Sequence, residues 1–219
     1  MAAEEKKNVH AGHRDRMRER LNREGMDAFE PHEVLEILLF QFVRVVNTNP
    51  TAHALIERFG SVKNVLTAPY EELITVHGIG PKTAEGIRSI YPLMSAKICD
   101  AFRQSGHLSR YDLAFLADWF MDGLPNGSMG LVVCGNDRRF QDFVYVNFHP
   151  NDTVIDFGAQ IVRAAYGRSY YLLIKEDFSL ITREKAQMLR HITGCGHAAQ
   201  LDVFVLEGFR PTSVYYMEG

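Results

Sequence analysis

Cysteine is scarce in this chain. Cys99, Cys134 and Cys195 are the only three in 219 residues, and they lie far apart. An odd number without regular spacing excludes a disulfide framework and suits thiols kept reduced in a cytosol. Long apolar runs are missing too: no stretch approaches the ~20 apolar residues of a membrane span. The opening MAAEEKKNVHAGHRDR has no apolar core, so it does not read as a secretory signal, and a cytoplasmic location is the expectation. Nor is there a surplus of positive charge. Lys and Arg number 24 against 27 Asp and Glu, for a formal net charge of −3. No global field draws the chain to a polyanion, so any attraction to nucleic acid must be local. What is present is a hydrophobic content of 46%, enough for real cores in one large domain or two small ones.

The stretch LITVHGIGPKTAEGI, Leu73 to Ile87, organises the rest. Leu73 and Val76 are spaced for the inner face of one helix, Ala84 and Ile87 for the inner face of the next. Gly78 and Gly80 bracket a tight turn in which both are expected at φ > 0. Pro81 suits the first position of a helix, where no amide bond is lost. The arrangement resembles the helix-hairpin-helix motif of nucleic-acid-binding proteins. That resemblance implies a phosphate held by backbone N–H groups of Gly78, Ile79 and Gly80 and by the helix start at Lys82 and Thr83. Free N–H groups and the positive end of a helix dipole favour an anion, and Lys82 adds a point charge. The plainer alternative is a glycine turn joining two packed helices. Lys82 and Arg88 are offset by Glu71, Glu72 and Glu85, so a clamp here gives sequence-independent, salt-sensitive binding without base readout.

Taken in order, residues Met1 to Gly12 read as disordered. From His13 to Gly25, Arg14, Arg16, Arg18, Arg20 and Arg23 are interspersed with Asp15, Glu19 and Glu24, and Met17 and Leu21 form a narrow apolar stripe. This is either a solvated amphipathic helix or a basic arm contacting phosphate beside the hairpin. Pro31 to Val43 is a buried helix with Val34, Leu35, Leu38, Leu39 and Phe42 in its stripe. Asn49 or Thr48 caps a helix from Pro50 to Phe59 that ends at Gly60. Ser61 starts a short helix to Leu66, and Pro69 opens the helix into the turn. Lys82 to Phe102 is a longer helix with a kink expected at Pro92. Residues 10–103 thus form an all-α domain, followed by the polar linker QSGHLSRYD.

Residues 112–219 read differently. A helix over Leu113–Met121 precedes strands at Leu131–Cys134 and Phe143–Phe148. Next come a helix over Thr153–Tyr166, a buried strand at Tyr170–Ile174 and a helix over Thr182–Thr193. Strands at Leu201–Leu206 and Ser213–Met217 close the chain. In the first of those helices Ile155, Ala159, Val162 and Ala165 or Tyr166 are expected inward. The order predicts a mixed sheet with flanking helices, and the whole an α+β two-domain protein.

The whole chain resembles the RadC family, bacterial proteins that carry a DNA-repair name. Gly12-His13-Arg14-Asp15-Arg16-Met17-Arg18, the helix His32 to Phe40, Asn49-Pro50-Thr51-Ala52-His53 and Phe59-Gly60-Ser61 carry the resemblance, and the hairpin follows them. It implies a C-terminal JAB or MPN-like domain of cytidine-deaminase-like fold, a zinc metallohydrolase scaffold. Arg14, Arg16 and Arg18 then become auxiliary phosphate contacts. The JAB site takes His-x-His at a strand end and an Asp in the next helix, leaving one zinc position to water. At those positions this chain has Lys175, Asp177 and Lys185. An ammonium repels a divalent cation, so the resemblance implies a domain that has lost its metal and no cofactor. The general-base glutamate has no clear counterpart, Asp142 being the nearest carboxylate.

His191, Cys195 and His197 offer three donors in seven residues, though not at a usual zinc spacing. Cys134 reads as core, His149 has no sequence reason to lie beside it, and His53 and His77 read as surface or helix-end residues. Three functions follow. One is a nucleic-acid-associated protein whose metal-free JAB-like domain binds a partner. Another is a zinc-dependent peptidase or nuclease with atypical ligands. The third is an interaction scaffold in which the hairpin is only structural. Lys175 and Lys185 add a variant of the first, a cationic pocket for phosphate or a carboxylate terminus.

Overall fold

The computed structural model describes residues 2–44, 46–147, 152–177, 179–208 and 210–216, with side chains from residue 12 onward. It divides into two compact units, Met1–Ala96 and Lys97–Gly219.

The first unit is helical. Helix α1 spans Ala2–Glu24, so the segment expected to be disordered is helical from Ala2 on. Its alanines, glutamates and lysines are strong helix formers, which a reading for apolar periodicity does not register. Helix α2 covers Pro31–Leu39, with Pro31 in its first turn and the Glu30 amide donating to Glu33 Oε2 at 3.0 Å. It stops four residues short of the expected Val43. Phe42 therefore leaves the stripe: its ring is 37% exposed and rests on Gly86. Helix α3 covers Asn49–Phe59 and ends at Gly60, whose φ of 82° is a left-handed cap. Thr48 stands at its N-cap without a side-chain cap bond. Ser61 caps α4, Val62–Thr67, by accepting from the Asn64 amide. Helix α5 is a single turn, Tyr70–Leu73, and α6 covers Pro81–Gln104 with Pro92 inside it. Leu35, Leu39, Ala52, Leu55, Val65, Leu73, Val76, Ile79, Ala84 and Ile87 share one core. Met17, Phe29, Ile37 and Phe40 form a second, smaller cluster.

The second unit is a mixed five-stranded sheet with helices on both faces, in the order β2-β1-β3-β4-β5. The strands are β1 Met129–Cys134, β2 Phe140–Val146, β3 Ser169–Lys175, β4 Ala199–Glu207 and β5 Arg210–Ser213. Only β3 and β4 run parallel. Side chains alternate across the sheet as a pleat requires. Leu131, Val133, Leu172, Ile174, Val203 and Val205 pack with α8, Val154–Ala165, and α9, Arg183–Cys195. Val132, Cys134, Leu173, Phe204 and Leu206 pack with Cys99 of α6 and with α7, Arg110–Met121.

Two expectations fail here. The inward stripe of α8 is Phe157, Gly158, Ile161 and Ala165, while Ile155 is 67% exposed and Ala159 faces solvent. Gly158 sets that phase, because its bare backbone meets Ile192 of α9. The last strand is Arg210–Ser213, and Val214–Tyr216 is a 3-10 turn that buries Val214 and sends the Tyr215 hydroxyl to Gln200. The ends expected at Phe148 and Met217 lie outside the described residues. No helix among the described residues is long and apolar enough to cross a membrane.

Candidate nucleic-acid interface

The turn between α5 and α6 is built from its buried residues outward. Leu73, Val76, Ile79, Ala84 and Ile87 are buried and fix the two arms of the hairpin. Between them His77, Gly78 and Gly80 are exposed, as are Pro81 and Lys82 where α6 begins. The expectation for the two glycines separates. Gly78 has φ of 90°, and a Cβ there would lie 2.4 Å from Thr51 Oγ1, so a side chain is excluded twice. Gly80 is not at positive φ, and a Cβ on it would meet nothing within 4 Å. Its bareness is not needed by the fold; it leaves the space above the turn open.

The amides divide likewise. Ile79 donates its N–H to Val76 O at 3.0 Å, and its side chain is 5% exposed, so it anchors the turn and offers no donor. Among the described residues, the N–H groups of Gly78, Gly80, Lys82 and Thr83 donate to no carbonyl and no side chain. The last two belong to the first turn of a 24-residue helix, where amides lack intrahelical partners and the dipole is positive. Thr83 buries its side chain and contributes only its amide; Lys82 presents an exposed ammonium.

Two residues to which the sequence assigns no role at the hairpin brace the turn. Thr51 Oγ1 donates to His77 O at 3.3 Å, and Arg58 Nη1 donates to Thr75 Oγ1 at 2.6 Å. Both lie on α3, and no local spacing announces contacts across 26 and 17 residues.

The basic arm is placed elsewhere. Val34, Ile37 and Phe40 pack with Met17 and Leu21 of α1, whereas Leu35 and Leu39 face the hairpin core. These are opposite sides of α2. Arg14 is spent on packing, its guanidinium 4.8 Å from the Phe40 ring and bonded to Val46 O at 2.8 Å. Arg18 pairs with Asp15 at 3.5 Å, and Arg16 is exposed. At the junction with α2 and α3, Glu36 is 1% exposed. It takes His13 Nε2 on one oxygen and Asn49 Nδ2 on the other, each at 3.1 Å.

In the second unit, Lys175, Asp177 and Lys185 are held apart. The Lys175 ammonium bonds Leu124 O at 2.6 Å and Met121 O at 3.4 Å, which closes the C-terminal end of α7. Asp177 accepts from the amide and hydroxyl of Ser179, and these bonds lower its carboxyl below the ordinary range. Lys185 is exposed on α9, on the other face of the sheet, at the rim of a recess of about 210 Å³ walled by Met129, Phe157, Ile181 and Leu189. The shared cationic pocket expected of the two lysines is therefore not formed. Asp142 is exposed on β2. Cys195 Sγ lies 4.0 Å from His191 Nε2, but His197, at φ of 60°, packs its ring against Tyr166 instead. Among the described residues no group of three His, Cys, Asp or Glu could hold a metal ion. His149 lies outside the described residues. Cys134 is fully buried, and desolvation pushes its thiol up to about 12.

One comparison with known proteins falls in the first unit. Residues 45–95 match the family model described as the helix-hairpin-helix motif. A UPF0758 protein of Fusobacterium nucleatum is 35% identical over 84 residues, which is 38% of this chain and 36% of that protein. The chain thus matches about a third of the length of that relative. No solved structure matches it.

Proposed function

We propose that this chain binds nucleic acid through the hairpin between α5 and α6, which grips the phosphate backbone of DNA without reading sequence. The observation that carries the reading is the set of unpartnered N–H groups at Gly78, Gly80, Lys82 and Thr83. They sit on an exposed turn at the positive end of α6, beside one free ammonium. The match of residues 45–95 to the helix-hairpin-helix model supports it. Ile79 serves as the anchor of the turn, and the arm of Arg14, Arg16 and Arg18 stands outside the clamp.

Gly80 gives a clean test, because a methyl there costs the fold nothing and stands where the phosphate must come. Gly80→Ala is expected to keep the wild-type melting temperature and to weaken binding of a fluorescent duplex about tenfold or more. Lys82→Ala is expected to weaken it less and to flatten its salt dependence. Wild-type affinity in Gly80→Ala would rule the hairpin out as the binding site.

For the second unit we read a RadC-type, JAB-like domain that serves as a partner-binding module without a catalytic metal. The chemistry of the donor set supports this: the position of the first JAB histidine is a lysine whose ammonium is committed to the carbonyls of Leu124 and Met121. Elemental analysis of untagged protein tests it. Sub-stoichiometric zinc is the expected result, and one zinc per chain would restore the hydrolase reading.

A further inference from the structure

The hairpin turn is shaped from α3. Thr51 and Arg58 are seven residues apart, two helical turns, and so lie on one face of that helix. Thr51 reaches the turn at His77 O and Arg58 reaches it at Thr75 Oγ1. The peptide between His77 and Gly78 is planar and trans, so its C=O and N–H point in opposite directions. A hydroxyl that pins His77 O toward α3 therefore aims the Gly78 N–H away from α3, on the exposed side of the turn. The Thr51 side chain also lies under Gly78 so closely that no residue with a Cβ could take this path. Arg58 acts at the other end. Its guanidinium rests over the Phe59 ring at 5.5 Å and lies 3.8 Å from Glu72. It holds Thr75, whose hydroxyl in turn donates to Glu72 O at 2.7 Å.

We propose that Thr51 and Arg58 are positioning residues that hold the Ile74–Gly80 turn with the Gly78 amide directed outward. Arg58, although a cation next to the hairpin, is committed to the turn and is not itself a phosphate contact. The functional side of this inference rests on the phosphate-clamp reading above; the geometric side does not.

The test pairs an isosteric change with a conservative one. Thr51→Val keeps shape and loses the donor, and Thr51→Ser keeps the donor. In Thr51→Val the 1H–15N resonances of Gly78 and Gly80 are expected to move, and duplex affinity to fall about threefold to tenfold, at an unchanged melting temperature. Thr51→Ser is expected to restore both. A role in stability alone would lower the melting temperature and leave those two resonances in place. Unmoved resonances in Thr51→Val, or failure of Thr51→Ser to restore them, would overturn the proposal. If wild-type protein shows no affinity for DNA, the clamp reading falls, and the Gly78 resonance still decides the role of Thr51.

Discussion

Residue by residue, the chain separates positions that look alike in one dimension. Gly78 and Gly80 stand two apart and read the same; only Gly78 is required by the fold. Gly78→Ala is expected to cost about 2 to 4 kcal/mol, from positive φ and the overlap with Thr51 together, whereas Gly80→Ala stays near wild type. Urea titration of the two variants checks this. The lysines divide too. Lys175 reads as a lost metal ligand that leaves a cationic pocket, yet its ammonium closes α7, an assignment that needs the register of β3 against β1. The thiols, by contrast, are legible from their neighbours: Cys134 in an apolar strand is buried, and Cys195 beside glycines at a helix end is exposed. A thiolate is the reactive form, and burial holds Cys134 at about 12. Under native conditions a thiol reagent at pH 8 is expected to label Cys195 promptly, with Cys99 and Cys134 protected until unfolding. Labelling of Cys134 ahead of Cys195, read by mass spectrometry of the peptides, would contradict its burial.

At the scale of elements, the sequence announces helices and strands more clearly than the rotation of a helix about its axis. Strands β1, β3 and β4 carry apolar residues on both faces, as a sheet covered on both sides must, and their positions are readable directly. Helix α8 shows the opposite case. Two apolar stripes compete in it, and the structure buries the one containing Gly158, because the close approach to Ile192 and Leu189 has no local signature. Gly158→Ala is expected to push α8 off α9 at a cost of about 1 to 3 kcal/mol, measured by chemical denaturation. The start of α8 carries a pH dependence. Asp156 accepts from the hydroxyl and the amide of Thr153, and these bonds lower its carboxyl below the ordinary aspartate range. A carboxyl lowered on folding binds protons more readily in the unfolded chain. Its stabilisation is present above the unfolded value near 3.8 and fades as pH falls through the folded one. Asp156→Asn is therefore expected to lower the melting temperature at neutral pH and to converge on wild type in acid. An offset that did not shrink as pH fell through and below the ordinary aspartate range would assign the effect to something other than ionisation.

For the molecule as a whole, charge and architecture argue against a broad DNA-binding surface and for a point contact. A formal charge of −3 repels a polyanion at distance, so the proposed clamp would act only at short range. The change from helical to β-rich structure was legible because the apolar periodicity changes along the chain, but the division between the units was not: it falls at Ala96, inside α6, and not at the polar stretch after Arg103. The hairpin itself was legible because Gly-x-Gly-Pro sits between buried apolar pairs. Its bracing by Thr51 and Arg58 was not, since a contact across 26 residues exists only once α3 has packed on the turn. Each neutralised phosphate contributes about −0.9 to the slope of log K against log salt. One clamp and one ammonium contact one or two phosphates, for an expected slope of about −1 to −2. Arg16 and Arg18 lie on the far side of α2 from the hairpin core, so replacing both by alanine is expected to leave that slope in place. A slope several times steeper, reduced by the Arg16→Ala and Arg18→Ala changes, would mean that DNA reaches across α2 to the arm. The contact would then be a surface spanning the helical unit rather than a single turn.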